Sequence, residues 1–176
     1  TFIALGSIIT SAQDALQEAL KAVEENPESL EARLNLAQVL QGEDMLDEAL
    51  QQYNEILAQD FKNAEAHYQR GRIYMEKSLL EEALSDFQWV ISVDYRHLDA
   101  RYNLAQIYQR QGKLEEAILE YNIINTLNPD LVTVHFNLGY IYNEKKLPRE
   151  AIREFELAKE LNPEDWFVHH LLGVSY

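Results

Sequence analysis

The sequence predicts an all-α fold, an α-solenoid of stacked helix pairs, and three observations carry that reading. Residues recur in one register at a step of 34. Each period holds two stretches whose apolar residues are spaced three and four apart. Turn and stop residues separate those stretches, as Gln111-Gly112-Lys113 and Asn128-Pro129 do in unit 98–131. The recurrence is visible in Ala15, Ala49, Ala83, Ala117 and Ala151, and in Tyr53, Phe87, Tyr121 and Phe155. The small residues Ala37, Gly71, Ala105, Gly139 and Gly173 keep the step, as do Leu40, Tyr74, Tyr108, Tyr142 and Tyr176.

Taken in order, the chain divides into a partial unit 1–29, full units 30–63, 64–97, 98–131 and 132–165, and a first helix at 166–176. In the partial unit, Ser11 with Asp14 three residues on predicts a helix B over roughly 12–25, preceded by a worn helix A. Unit 98–131 shows the general plan. Its helix A carries Tyr102, Leu104, Ala105, Ile107 and Tyr108, and its helix B carries Leu114, Ala117, Ile118, Tyr121 and Ile124. Gln111-Gly112-Lys113 turns the chain between them, and Asn128-Pro129 stops helix B because the residue before proline is driven out of the α region. The small residues have a packing reason: two helices approach closely only where one ridge is low. Gly139 and Ala151 are the expected crossing, with Tyr142 and Phe155 filling the space beyond. One helix pair cannot bury its apolar face alone, so the units stack.

Composition narrows the function. The chain has 176 residues, net charge −15, and no cysteine. Apolar residues at 47% and charged residues at 26% are those of a folded globular chain. Without cysteine there is no disulfide framework, thiolate zinc site or cysteine nucleophile. Lys and Arg number 15 against 30 Asp and Glu, which argues against binding nucleic acid through its phosphates and against docking on anionic membranes. No apolar run reaches the ~18 residues of a membrane span. The expectation is a soluble chain, with the cytoplasm favoured. Asp47-Glu48, Glu81-Glu82, Glu115-Glu116 and Glu150 fall in the first turn of each helix B, where the helix dipole favours acid by ~0.3–1 kcal/mol each.

No catalytic constellation is expected, and no metal or cofactor. His67, His135 and His169 occupy the same position of different units, so they read as packing residues and not as a convergent ligand set. His169 and His170 are neighbours and point apart on a helix. No His-Glu-x-x-His, Gly-x-Ser-x-Gly or phosphate-loop pattern occurs.

The period and its residues resemble the tetratricopeptide repeat family, whose pattern is W-x₂-L-G-x₂-Y, then A-x₃-F, then P. Unit 132–165 matches with His135 in place of Trp, then Leu138, Gly139, Tyr142, Ala151, Phe155 and Pro163. Unit 98–131 has Arg101, Leu104, Ala105, Tyr108, Ala117, Tyr121 and Pro129. Phe61 and Tyr95 replace the final proline of the two earlier full units, and Arg70 replaces a leucine. The resemblance implies a right-handed superhelix whose A helices line a concave groove, and a role in binding other proteins.

Read on that groove, the sixth position of each unit carries Asn35, Gln69, Asn103 and Asn137, an amide ladder able to hold the backbone of an extended peptide. Tyr68, Tyr102 and Phe136 stand beside it at position 5, between Leu34 and His170. Glu31, Glu65 and Asp99 form an acidic edge at position 2. Arg72, Gln106 and Tyr140 follow at position 9, with Glu76, Arg110 and Glu144 at position 13. The family's clamp for a C-terminal carboxylate needs Lys and Arg where this chain has Leu34, Asp99 and Asn103, so that mode is not expected.

The expected function is thus a non-catalytic scaffold or adaptor holding an extended or helical segment of another protein. Two alternatives stay open. One is a structural assembly protein associating through its terminal helices: the apolar 166–176 segment lacks a following helix B, so it either awaits one in a longer chain or docks on a partner or a second copy. The other is a substrate-presenting regulatory domain cut from a larger enzyme.

Overall fold

The fold, taken from a computed structural model, describes residues 2–163. Among the described residues there are nine helices and no strand. They are α1 (Phe2–Glu25), α2 (Leu30–Gly42), α3 (Leu46–Gln59), α4 (Ala64–Glu76), α5 (Leu80–Val93), α6 (Leu98–Arg110), α7 (Leu114–Leu127), α8 (Val132–Glu144) and α9 (Pro148–Leu161). The fold is all-α, of the α-solenoid class, with α2, α4, α6 and α8 as A helices and α3, α5, α7 and α9 as B helices. The expected helix at 166–176, with His169, His170, Gly173 and Tyr176, lies outside the described residues.

One expectation is corrected. Residues 1–29 do not hold a helix A followed by a helix B; a single helix, α1, runs from Phe2 to Glu25. Phe2–Glu25 contains no proline, and its one glycine, Gly6, costs a helix only about 1 kcal/mol.

The helices form two compact units, α1–α5 ending at Val93 and α6–α9 beginning at Asp94. In the first, Leu36, Ala37, Ala49, Tyr53, Ile56 and Ile73 are buried together, with Ala19 of α1 packed on them. In the second, Ala105, Ala117, Tyr121, Ile124, Leu138 and Ile141 form one cluster, and Ala151, Phe155 and Ala158 another. Gly139 is closely packed, against Phe155 and not against the Ala151 expected to cross it: a Cβ on Gly139 would sit 2.5 Å from Cε1 of Phe155. At Gly71 the same atom would meet Cε1 of Phe87 at 3.0 Å. Where alanine holds this position, tyrosine replaces phenylalanine opposite it: Ala37 with Tyr53, and Ala105 with Tyr121. Each tyrosine then donates its hydroxyl to a helix A glutamine, Gln41 at 3.2 Å and Gln109 at 2.8 Å.

Every helix A ends alike. Asp44, Ser78, Gly112 and Lys146 hold a left-handed backbone, with φ of 61°, 59°, 71° and 59°. The amide of the following residue then returns to the carbonyl five residues earlier: Met45 to Leu40, Leu79 to Tyr74, Lys113 to Tyr108 and Leu147 to Tyr142. Only Gly112 adopts this conformation without a Cβ penalty, which is about 1–2 kcal/mol for an ordinary residue.

The turns that end the helix pairs share a side-chain hydrogen bond. Before Phe61 and Tyr95 stand Asp60 and Asp94, whose carboxylates accept from the amides of Lys62 and Arg96 at 3.1 and 3.0 Å. Asn128, which stands before Pro129, makes the same turn with the Asp130 amide at 3.4 Å, so this side-chain turn recurs with and without proline.

Candidate functional site

In the first unit the candidate residues stand on α2 and α4. Asn35 is exposed, and Gln69 is half-buried. Gln69 donates to Glu65 at 2.7 Å and accepts from Arg72 at 3.0 Å, so three candidate positions join into one strip along α4. Their spacings of four and three put them on one helical face. An open cleft of about 340 Å³ lies between the two A helices, lined by Gln38, Gln41, Gly42, Gln69, Arg72 and Glu76. Tyr68 instead packs inward, its ring tilted on Phe87 at 5.9 Å.

In the second unit they stand on α6 and α8. Tyr102 meets the ring of Tyr121 edge-on at 5.7 Å, and its hydroxyl accepts from the Asn137 amide at 3.0 Å. That bond links position 5 of one unit to position 6 of the next. Asn103 and Gln106 are half-buried, while Asp99 and Arg110 are exposed. Phe136 tilts on Phe155 at 6.4 Å, and Tyr140 is 54% exposed. A cavity of about 280 Å³ opens beside Asp99 and Tyr102. Burial raises the phenol pKa of Tyr121, and of Tyr53 in the first unit, well above the ordinary 10. The structure thus brings together Glu65, Gln69 and Arg72, and separately Asp99 and Tyr102 with Asn137. The amides of Gln69 and Asn137 bond to Glu65, Arg72 and Tyr102 rather than to the neighbouring rungs of the ladder, Asn35 and Asn103.

A further set of residues escaped the sequence reading as a network. Position 4, the family's Trp position, holds Arg33, His67, Arg101 and His135. Each reaches back six residues to a backbone carbonyl and forward nineteen to a helix B side chain. Arg33 donates to the Pro27 carbonyl at 3.0 Å and to Gln52 at 3.2 Å. Arg101 donates to the Tyr95 carbonyl at 2.7 Å and to Glu120 at 2.6 Å. His67 engages the Phe61 carbonyl at 3.0 Å through Nε2 and Asp86 at 2.7 Å through Nδ1. His135 repeats this with the Pro129 carbonyl at 3.2 Å and Glu154 at 2.8 Å. A polar tether therefore stands where an indole is usual, tying each helix A to its own helix B and to the preceding turn. The signal was present in the sequence as the nineteen-residue pairing of Arg or His with Gln, Asp or Glu.

Arg70 belongs to the same cluster. It holds Asp86 through Nε and Nη2 at 2.8 and 2.7 Å, and that hydrogen bonding raises its pKa above the ordinary guanidinium value. His67 also stacks on Trp89, with ring centroids 4.1 Å apart. His67 and His135 are thus engaged with their own helix B and the preceding turn, and His97 accepts from the Ala100 amide at 3.2 Å. Among the described residues no group of three or more His, Asp or Glu could hold a metal ion, and no helix is long and apolar enough to cross a membrane.

Comparison with known proteins bears on this architecture. Family models for the tetratricopeptide repeat match residues 10–73, 68–131 and 132–165. No curated protein sequence matches the chain significantly. Among solved structures, MamA residues 41 to the end from Desulfovibrio magneticus RS-1 is similar, with a TM-score of 0.82 and 19% identity over 88% of each chain. A tetratricopeptide repeat protein from Parabacteroides merdae ATCC 43184 has a TM-score of 0.80 and 22% identity, covering 99% of this chain and 68% of its own. A thermophilic repeat protein of Thermus thermophilus has a TM-score of 0.65 and 19% identity, covering 98% of this chain and 94% of its own. These structural likenesses concern the fold. With the family models spanning residues 10–165, the helix pairs and the repeated crossings, the chain belongs to the tetratricopeptide repeat family.

Proposed function

We propose that the chain is a non-catalytic interaction scaffold that holds an extended or helical segment of another protein against its A-helix face. The observation that carries this is that each unit has an opening beside its A helices. In the first unit the cleft is lined by Gln69 and Arg72, and in the second by Asp99 and Tyr102. Amide, aromatic and carboxylate groups on such an edge suit recognition of a peptide backbone and its side chains.

The Asn137 amide retains an acceptor oxygen while donating to Tyr102, and Asn103 is half-buried on the neighbouring helix. The two asparagines of this unit are therefore the backbone-holding pair in this reading. The test is Asn103→Ala combined with Asn137→Ala, measured beside the wild type against a panel of extended peptides by fluorescence anisotropy. Weakened binding with an unchanged circular dichroism spectrum supports the reading. Unchanged peptide affinity in the double variant refutes it.

A further inference from the structure

The cavity of the second unit has an uneven chemistry. Its volume of about 280 Å³ lies just below the ~300–1,000 Å³ of small-molecule and cofactor sites, a size for one side chain. Ile124 on α7 is the one fully buried residue among those lining it. Leu98, Tyr102 and Leu131 are half-buried around it, and Asp99 and Thr133 are exposed at its edge. The Tyr102 ring is held by its edge contact with Tyr121 and by the Asn137 amide, so that wall is already set before any ligand arrives.

The edge carries one charge. Position 2 is acidic in the three preceding units, at Glu31, Glu65 and Asp99, and becomes Thr133 in the next. Asp99 makes no ion pair among the described residues. An apolar hole beside a free carboxylate, on a chain of net charge −15, favours a cationic neighbour for whatever enters it.

Resting on the A-helix reading above, we propose that this cavity is a socket for one aliphatic or aromatic side chain of the partner peptide, flanked in that peptide by a lysine or arginine that pairs with Asp99. The ligand class is thus an apolar–basic segment. The socket supplies the sequence preference that a backbone-holding amide pair does not.

The test uses the whole chain and two small probes that share a ring and differ in charge, phenethylammonium and 3-phenylpropionate. Amide shifts are followed by two-dimensional NMR. The expected result is a response at Leu98, Tyr102, Leu131 and Thr133, with the cation binding about two- to fivefold more tightly, the range for an exposed ion pair. Asp99→Asn abolishes that preference, and Thr133→Phe, at an exposed position, fills the mouth and weakens both probes. No response at these amides, equal binding of the two probes, or a preference that survives Asp99→Asn overturns the proposal.

A peptide arm separates it from the broader reading, with extended peptides carrying Leu-Lys, Leu-Glu or Ala-Lys at the centre. If phenethylammonium docks while Asn103→Ala with Asn137→Ala leaves peptide affinity unchanged, the socket stands and the amide reading falls. If the double variant weakens all three peptides equally and neither probe docks, the amide reading stands and the socket falls.

Discussion

Truncating Arg101 tests whether the polar tether holds helix A to helix B. Arg101 and Glu120 are each 8% exposed and meet at 2.6 Å. Arg101→Met leaves the Glu120 carboxylate buried without its partner, a loss of about 3–5 kcal/mol. Glu120→Leu leaves the guanidinium with only the Tyr95 carbonyl, and a loss of similar size is expected. Replacing both removes both charges, and apolar residues of similar volume commonly substitute for a buried pair at little cost. The Tyr95 carbonyl still loses its donor, about 1 kcal/mol. The double variant should therefore lose about 1–2 kcal/mol, far less than the sum of the singles. The assay is urea unfolding followed by far-UV circular dichroism, comparing midpoints at unchanged slope. Single-variant losses that add to the double within ~0.5 kcal/mol would show the two residues uncoupled and refute the tether.

Two other expectations follow from the packing. Alanine at Gly139 gains about 1 kcal/mol of helix propensity, yet its Cβ enters the Phe155 ring, and overpacking costs about 1–3 kcal/mol. Gly71→Ala meets Phe87 less closely, so Gly139→Ala should be the more destabilising of the two in thermal melts; the reverse order would refute the crossing geometry. Tyr53 and Tyr121 have folded pKa values raised above the ordinary 10, so the stability from their neutral form is complete below pH 10 and is lost as pH climbs through the raised values. Near-UV phenolate absorbance should show a late step from Tyr53 and Tyr121, and Tyr121→Phe should remove part of that step and flatten part of the alkaline loss; an unchanged profile would refute it.

Much of the fold was legible in the sequence because helix pairing leaves a local trace. Apolar spacing of three and four, small residues at crossings and first-turn acids depend on neighbours along the chain. The candidate face was legible only as a set of positions. Tyr68 and Phe136 belong to it by register, yet each also packs on the phenylalanine of its own repeat. Gln69 spends its amide on Glu65 and Arg72, and Asn137 spends a donor on Tyr102. Periodicity carries no information about which donor meets which acceptor, since that is decided by distances of a few tenths of an ångström.

The 34-residue step, the alternation of helices, the buried Tyr and Phe series and the acid at each helix B start were all determined by the sequence alone. Each is a statement about one helix face or one helix end. The tertiary structure decided that Arg and His replace an indole by bonding both ways, to the preceding turn and to helix B. It also decided that the cavity beside Asp99 is apolar within and charged at its rim. Those features join residues that are well separated along the chain, and their meeting depends on where neighbouring helices stop each other's approach.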